Sequence, residues 1–254
     1  DDGNIKCKGN HKDGNKDGKW FEYYKNGQIW KEENYKDGNL DGKWIDYYEY
    51  GEIKEERNYK DGEQFIKNRW NEYGELLVKD GDGKWTSYHK NGEIRWEENY
   101  KDGNKDGKWF EYYKNGNIKK KENYKDGKED GKSIEYYKYG EMWKEQNYKD
   151  GKLDGKLTWY YENGQIREKR NYKKGNKDGE CDEYKENGNI LKEKNYKDGK
   201  EDGKWTYYLE YGPKQIRREE NYKDGEKDGK WTYYNYKNGQ KWKEEIYKDG
   251  KLID

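Results

Sequence analysis

The sequence contains no alanine, a single proline and two cysteines, Cys7 and Cys181. Alanine is the best helix former, and its absence beside 32 glycines argues against a helical fold. Two cysteines are too few for a disulfide framework. Leu, Ile, Val and Phe are scarce, and no apolar run approaches the roughly 20 residues that a membrane-spanning helix needs. These absences argue against helical bundles, disulfide-stabilised miniproteins and helical membrane proteins.

The chain also lacks net charge, because 56 basic and 56 acidic residues cancel and the two signs alternate along the sequence. A nucleic-acid-binding protein would show a basic excess, so no nucleic-acid partner is expected. A charged fraction of 44% usually indicates disorder. The 30 Tyr and 12 Trp oppose disorder, because aromatic rings bury large areas and favour strands. We therefore expect a folded protein with a thin aromatic core.

Most of the sequence consists of one repeated unit, most often 24 residues long. When the Asp of its first Asp-Gly is numbered position 1, full units begin at Asp17, Asp41, Asp82, Asp106, Asp130, Asp154, Asp178, Asp202 and Asp228. A partial unit covers residues 1–16 and a shortened unit covers residues 65–81. Such a period is typical of stacked supersecondary units, so residues 1–254 are predicted to form a single repeat array.

Each unit is predicted to be a β-hairpin. Asn-Gly at positions 10 and 11, as at Asn26 and Gly27, suits a two-residue type I′ turn. That turn pairs position 8 with position 13, and alternation then places positions 4, 8, 13 and 19 on one face and positions 5, 7 and 14 on the other. The expected fold is all-β, an elongated and twisted antiparallel meander of about ten stacked hairpins. The first face is richer in aromatic residues and is the predicted core, with Trp20, Trp44, Trp85, Trp109, Trp205 and Trp231 at position 4.

The shortened unit from Phe65 to Gly81 is predicted to be a weak point. It lacks seven residues and cannot hold two full-length strands, although its second half, Leu76 to Val78, is the most aliphatic stretch of the chain. We expect a kink there and the earliest hydrogen exchange.

Motifs for metal binding or catalysis are weak in this sequence. Asp13 to Gly18 fits the opening of a calcium loop, but the bidentate acid expected at loop position 12 is replaced by Tyr24. Asp and Gly are common turn residues for backbone reasons, so these residues are better explained as the linker, the turn that joins one hairpin to the next. His11 and His89 replace repeat tyrosines and lie far apart along the chain. No cofactor, metal site or catalytic group is expected, and the chain is predicted not to be an enzyme.

The repeated residues resemble the MORN-type repeat, in the bacterial variant often called the YwqK-like antitoxin repeat. The matching motifs are Gly-Lys-Trp, Tyr-Tyr, Asn-Gly-x-Ile and Asn-Tyr-Lys-Asp-Gly, as in residues 107–127. The resemblance covers nearly the whole chain. It implies a hairpin array that acts as a scaffold or contact surface, and the antitoxin label implies a toxin as the partner.

The predicted function is that of a non-enzymatic scaffold that presents an extended surface to another protein, toxin neutralisation being one specific case. The partner-binding candidates lie on the face opposite the predicted core: Phe21, Tyr23, Trp30, Ile45, Tyr47, Tyr88, Phe110, Tyr112, Ile134, Tyr136 and Trp143. The alternative is a cell-envelope or glycan-binding protein, in which the aromatic rows bind sugar or quaternary ammonium groups by stacking and cation–π attraction.

The ends of the sequence suggest two further expectations. A start at Asp1 without Met favours removal of a leader, as in a secreted or cell-envelope protein, or a cut fragment. Terminal strands without sequence partners would be templates for association. We therefore expect either end-to-end self-association or a longer native chain.

Overall fold

Every regular element in the computed structural model, which describes residues 6–210 and 214–254, is a β-strand. The first residues of the predicted partial unit and the segment around Pro213 lie outside the described residues. The strands are β1 (Cys7–Lys12), β2 (Asn15–Tyr23), β3 (Ile29–Lys36), β4 (Asn39–Leu40), β5 (Gly42–Tyr47), β6 (Ile53–Lys60), β7 (Glu63–Trp70), β8 (Leu76–Lys79), β9 (Asp82–Tyr88), β10 (Ile94–Lys101), β11 (Asn104–Lys105), β12 (Gly107–Tyr112), β13 (Ile118–Lys125), β14 (Lys128–Glu129), β15 (Gly131–Tyr136), β16 (Met142–Lys149), β17 (Lys152–Tyr160), β18 (Ile166–Lys173), β19 (Asn176–Tyr184), β20 (Ile190–Lys197), β21 (Lys200–Glu201), β22 (Gly203–Tyr208), β23 (Ile216–Lys223), β24 (Glu226–Lys227), β25 (Gly229–Tyr234), β26 (Lys241–Lys248) and β27 (Lys251–Leu252).

The predicted all-β class and antiparallel meander are confirmed. The chain divides into two units, one formed by residues 6–116 and 124–127 and the other by residues 117–123, 128–210 and 214–254. Within each unit, strands that follow one another in sequence pair antiparallel, as β2 does with β3 and β17 with β18. The elongated, twisted shape stays a prediction.

The register of each hairpin follows the predicted one at positions 4, 5 and 6 but differs next to the turn. Position 7, not position 8, pairs with position 13, as in Tyr23↔Ile29 and Tyr160↔Ile166. The residue that follows position 13, such as Trp30, is the extra residue of a β-bulge. Because a shift of one residue turns side chains to the opposite face, the predicted faces hold for positions 4, 5 and 7 but not for position 13.

The location of the type I′ turn also differs from the prediction. The type I′ geometry lies in the linker, where Asp37 and Gly38 have φ of 49° and 84° and join the paired residues Lys36 and Asn39. The Asn-Gly turn is wider, because the N–H of Gly27 donates to the carbonyl of Tyr24 at 3.0 Å. Its only residue with positive φ is Gly27. This is a type I turn closed by a glycine bulge.

One face of the sheet, here called the tryptophan face, carries positions 4, 6, 15, 17 and 19. Trp20 is 8% exposed and lies opposite Glu33, which is 1% exposed. Glu33 accepts a hydrogen bond from the Tyr35 hydroxyl at 3.0 Å and pairs with Lys31 at 2.7 Å. Lys16 covers the rings of Trp20 and Tyr35 at 4.3 and 4.5 Å. Long lysine side chains thus bury aromatic rings without a second layer of structure.

The same packing recurs in the second unit. Trp205 and Trp231 are each 5% exposed, and the Tyr222 ring lies 4.7 and 5.4 Å from them. Where the tryptophan is replaced at position 4, the substitute is buried as well: Ser133, Leu157 and Cys181. Trp44 and Trp109 are half-buried, whereas Trp85 is 6% exposed. Position 4 is therefore the inward position of the repeat whatever residue occupies it.

The opposite face, here called the charged face, carries positions 3, 5, 7 and 16. Lysine at position 3 pairs across the hairpin with glutamate at position 16, with N–O distances of 2.6 Å for Lys19–Glu32 and 2.9 Å for Lys132–Glu145. The pairing recurs at Lys43–Glu56, Lys84–Glu97, Lys204–Glu219 and Lys230–Glu244. Cross-strand pairs of opposite charge each add a fraction of a kcal/mol.

The shortened unit holds one full strand and one short strand, β7 with 8 residues and β8 with 4. This confirms that it cannot hold two full-length strands. Val78 of β8 is fully buried and forms a cluster with Trp85 and Tyr100, against which Ile66 and Leu77 pack. The predicted kink and early exchange stay predictions.

Candidate functional site

The tyrosine row at position 7 is tied into the charged face. The Tyr112 hydroxyl donates to Glu97 of the preceding repeat at 2.6 Å. Tyr208 donates to Glu193 and Tyr234 to Glu219 in the same way, at 2.8 and 2.9 Å. Burial and the Glu97 carboxylate raise the pKa of Tyr112 to about 12. These tyrosines hold neighbouring repeats together, which leaves less of each ring for a partner.

The predicted partner-binding residues differ widely in exposure. Ile45 is 6% exposed, so its side chain offers almost no surface, and the prediction that it contacts a partner is not supported. Trp30 is 44% exposed and Tyr88 is 58% exposed. The others are half-buried: Phe21, Tyr23, Tyr47, Phe110, Tyr112, Ile134, Tyr136 and Trp143. Trp30 packs against Tyr24 and Trp143 packs against Tyr137, each within its own hairpin, with ring centres 6.3 and 6.4 Å apart.

A cleft of about 520 Å³ opens on the tryptophan face beside the shortened repeat. It is here called the tryptophan cleft and is lined by Lys54, Arg69, Trp85, Ser87, Trp96, Glu98, Lys105, Trp109 and Glu111. In the sheet, Glu98 lies opposite Trp85, and Trp96 lies opposite both Ser87 and Glu111. Three indole rings therefore line the cleft together with two carboxylates and one hydroxyl.

The cleft lies at a cross-strand pair that combines a short and an aromatic side chain. In several other units position 6 and position 15 form an ion pair: Glu22–Lys31 at 3.1 Å, Glu135–Lys144 at 3.2 Å and Glu183–Lys192 at 2.6 Å. Here the two positions hold Ser87 and Trp96. Serine is too short to fill the space of a glutamate. Its Oγ is buried and has no hydrogen-bond partner in the part of the chain that the structure describes.

Glu98 is the electrostatic centre of the cleft. It accepts hydrogen bonds from Trp109 Nε1 at 3.0 Å and from the Tyr100 hydroxyl at 2.7 Å, and it pairs with Arg69 at 2.9 Å and Lys105 at 3.2 Å. Burial by itself would raise the pKa of Glu98, but these hydrogen bonds and positive charges lower it to about 2. The carboxylate is therefore ionised and fully engaged at neutral pH, and burial raises the pKa of Tyr100 beside it.

The rings of the cleft already have cationic neighbours. The guanidinium of Arg69 lies 4.2 Å from the Trp85 ring centre, and that of Arg95 lies 3.7 Å from the Trp96 ring centre. Lys105 Nζ lies 5.4 Å from the Trp109 ring centre. A quaternary ammonium ligand would have to displace these groups. The arrangement suits an uncharged or mixed polar–apolar group better than a free cation.

The chemistry of the site is that of recognition. Its side chains offer indole rings, an unsatisfied hydroxyl and paired charges. Among residues 6–210 and 214–254, no group of three or more His, Cys, Asp or Glu side chains is arranged to hold a metal ion. Nor does any helix in those ranges have the length and apolar character that a membrane crossing requires.

Sequence reasoning missed the cleft because it compared the units at positions 4 and 7, where the repeat is most regular. The signal was present at positions 6 and 15. Ser87 is the only serine at position 6, and Trp96 is the only aromatic residue at position 15. Once the register pairs these positions, two departures that are unrelated in sequence become one site.

Comparison with known proteins identifies the repeat. The sequence profile of the MORN repeat variant family matches residues 16–37, 40–61, 81–102, 105–126, 153–174 and 177–198, which together cover just over half of the chain. Trp85, Ser87, Trp96 and Glu98 lie inside the third match. A search for curated relatives found no match.

Two solved structures of large assemblies show distant matches. One is the holotoxin pore of the Tc toxin of Photorhabdus luminescens, with 11% identity over 86% of this chain and a TM-score of 0.20. The other is a complex of TcdB2, TccC3 and Cdc42, with 10% identity over 92% of this chain and a TM-score of 0.21. This chain spans about 14% of the length of each matched chain. At these TM-scores the matches do not bear on the fold or function of this chain.

Proposed function

Because the chain belongs to the MORN repeat variant family, we propose that it is a non-catalytic repeat scaffold that binds another protein through the tryptophan cleft. The observation that carries the proposal is that Ser87 and Trp96 stand where several other repeats hold an ion pair. This change gives up a stabilising contact of the repeat and leaves a buried hydroxyl unsatisfied. A partner group that enters the cleft would satisfy that hydroxyl and cover the indole rings.

Tryptophan suits the role of an anchor at a protein interface. Trp and Tyr dominate binding energy at interfaces, and loss of a central tryptophan typically costs 2 kcal/mol or more, about thirtyfold in affinity. Trp96 is half-buried, so its indole has surface left for a partner. A bacterial toxin as the partner is a narrower hypothesis, and so is end-to-end self-association; the identity of the bound protein tests both.

The test restores the repeat and so removes the cleft. The immobilised chain is incubated with soluble extract of its source, and bound proteins are identified by mass spectrometry for the native chain and for the double variant Ser87→Glu with Trp96→Lys. The double variant rebuilds the ion pair seen at Glu22–Lys31, so folding should be kept or slightly improved. We expect a specific partner to bind the native chain and to bind the variant about thirtyfold more weakly.

The matched control is Trp242→Lys, which makes the same chemical change at a tryptophan that is 65% exposed and far from the cleft in sequence. It should leave partner binding unchanged. Equal binding by the native chain and the double variant would show that the cleft is not the contact. Retention of the native chain on cell-wall polysaccharide, with no protein partner, would favour the glycan-binding alternative and overturn the proposal.

A further inference from the structure

The shortened repeat leaves part of β9 without a neighbouring strand. In the described structure β8 pairs with β9 at two places, Val78↔Gly83 and Lys79↔Asp82. On its other edge β9 pairs with β10 from Gly83 to Tyr88. The edge of β9 that faces β8 is therefore open beyond Gly83, although β9 lies within the repeat array.

Regular repeats close this edge. At β16 and β17, positions 5 and 6 of one unit pair with the preceding unit, as Thr158 does with Glu145 and Trp159 with Lys144. The equivalent residues of β9 are Thr86 and Ser87, and the four residues of β8 end before they can reach them. The backbone groups of such an edge are a template for another strand.

A second cleft, of about 810 Å³, occupies the place of the missing strand residues. It is here called the strand notch, and one wall is β9 and the following turn, residues 85–90. The other wall is the turn of the shortened repeat, Asn71 to Glu75, and Tyr48 also lines the space. The turn is internally bonded, because Asn71 N–H donates to the Glu75 carbonyl at 3.0 Å. It therefore forms a defined wall opposite the open edge.

The notch wall formed by the turn at residues 71–75 is aromatic and acidic, whereas the β9 wall ends at Lys90. Tyr73 is 84% exposed and Tyr88 is 58% exposed. The carboxylates of Glu72 and Glu75 lie on the same turn as Tyr73. This composition complements a segment that alternates aliphatic and basic side chains.

We propose that the strand notch binds an extended segment of a partner protein, which adds a strand to the open edge of β9 and places a basic side chain near Glu72 and Glu75. The proposal deepens the proposed function, on which it rests. Strand addition uses main-chain hydrogen bonds for affinity and alternate side chains for specificity. Three residues of β9, Thr86 to Tyr88, span roughly 10 Å, enough for a short strand.

The position of the notch favours a polypeptide over other occupants. Only a polypeptide offers donors and acceptors at the spacing of a strand edge. Trp85 and Ser87 line both the notch and the tryptophan cleft, so the two spaces adjoin. Side chains of an added strand point alternately to the two faces of the sheet, and one set would reach toward the tryptophan cleft.

The test uses a fluorescent hexapeptide of alternating valine and lysine, titrated to about 1 mM against the full chain and followed by anisotropy. Two further peptides carry N-methyl groups on alternate amides, one in each frame. Because alternate residues direct their N–H groups to opposite edges, one frame should lose at least tenfold in affinity and the other should bind like the parent. Equal binding of all three peptides, or no binding of the parent, would overturn strand addition.

Charge reversal in the protein locates the bound peptide. Glu72→Lys with Glu75→Lys should weaken binding roughly fivefold at low salt, as expected for two exposed ion pairs. The matched control is Glu49→Lys with Glu52→Lys, which changes the equivalent two positions in the turn of the preceding full unit. It should not change the affinity. Equal losses for the two pairs would place the peptide elsewhere on the acidic surface and contradict the assignment. Soluble glucan that competes with the peptide and binds alone would assign the notch to a glycan and overturn the proposal.

The two proposals fail in distinguishable ways. If a native partner binds in a manner that depends on Ser87 and Trp96 while the hexapeptide fails, strand addition is wrong and the scaffold function stands. If the hexapeptide binds in one N-methyl frame while no protein partner is retained, the notch is a peptide site but the partner function assigned to the tryptophan cleft is wrong.

Discussion

Two stretches of similar length show what the repeat needs and what it can lose. From Lys152 to Lys197, the four strands β17 to β20 have 8 or 9 residues each and pair over five or six residues. From Glu63 to Lys101, the ladders on both sides of β8 have two pairs each. Yet position 4 of the regular stretch is occupied by Leu157 and Cys181 instead of tryptophan, whereas the interrupted stretch has Trp85 at this position. Backbone pairing and aromatic burial are therefore separate contributions.

The interrupted stretch replaces lost pairing with close backbone contacts. Gly103 N–H donates to the carbonyl of Gly81 at 3.0 Å, and Gly81 N–H donates to that of Lys67 at 2.7 Å. Ile66 N–H donates in turn to the Gly103 carbonyl at 3.0 Å. The linker that follows the short repeat thus directly contacts the linker that follows the next unit. We expect the linker side of this repeat to be protected and the notch side to exchange early, which sharpens the prediction of a uniformly weak unit.

The largest expected effect tests this close contact. Gly81 and Gly175 occupy the same linker position, with φ of 94° and 91°. A Cβ on Gly81 would lie 2.4 Å from the Gly103 nitrogen, whereas a Cβ on Gly175 has no atom within 4 Å. Gly175→Ala should cost about 1–2 kcal/mol from backbone strain alone. Gly81→Ala should cost about 1–3 kcal/mol more, because the backbone must move.

Chemical denaturation and peptide-resolved hydrogen exchange measure the two glycine variants. Destabilisation by Gly81→Ala should be confined to residues around 63–101, because stability in a repeat array is largely local. Equal costs for the two substitutions would show that the linkers do not meet as described. Opening that spreads evenly to residues 152–197 would show that the array is one cooperative body.

The second effect is a pH dependence of stability in the interrupted stretch, which contains Glu98. The pKa of Glu98 is lowered to about 2 from an ordinary value near 4.5. A carboxylate with a lowered pKa stabilises the fold above its unfolded pKa, and this contribution is lost as the pH falls from about 4.5 to 2. Its size is about 2 kcal/mol after allowance for partial solvent screening.

Exchange or fluorescence of Trp109 over this pH range measures the Glu98 contribution. The native chain should lose local stability around β10 and β12 more steeply than the Glu98→Gln variant, because glutamine does not titrate. The variant should be less stable at pH 7, since Arg69 and Lys105 lose their shared partner. Parallel pH profiles for the two proteins would assign the acid sensitivity to other carboxylates.

The extent to which the sequence predicted this structure depended on the kind of signal. The period and the aromatic composition predicted the all-β class, the hairpins and the inward position 4, since these follow from strand alternation and burial. The type I′ turn was predicted at Asn-Gly instead of in the linker because Asn-Gly and Asp-Gly both suit that geometry, and only the pairing Lys36↔Asn39 decides between them.

The candidate site was less accessible to prediction than the fold. The predicted register already placed Ser87 opposite Trp96, but the units were compared at positions 4 and 7, so neither departure was noticed. The strand notch depends on how far the four residues of β8 extend along β9, which no local pattern encodes. Ile45 was assigned to a partner surface because alternation gives its face but not the cover supplied by neighbouring side chains.

The smallest expected effect lies in the regular stretch, at the one linker turn that breaks the Asp-Gly rule. Lys174 has φ of 50° where the other repeats hold aspartate at φ of 48° to 53°. The left-handed conformation costs lysine its full steric strain energy, whereas Asn and Asp adopt this conformation more readily. Lys174→Asn should therefore stabilise residues 152–197 by about 0.5–1 kcal/mol, and the hydrogen bond from the residue 174 N–H to Asp154 at 3.0 Å should persist. Asp150→Asn, the same position one repeat earlier, should change stability by less than about 0.5 kcal/mol, because both residues suit the turn. Thermal and denaturant unfolding of the two variants measure the difference. A loss of stability in Lys174→Asn would mean that the lysine side chain contributes more on the surface than its backbone strain costs, and the regular stretch would then owe part of its stability to side chains rather than to its uninterrupted ladders.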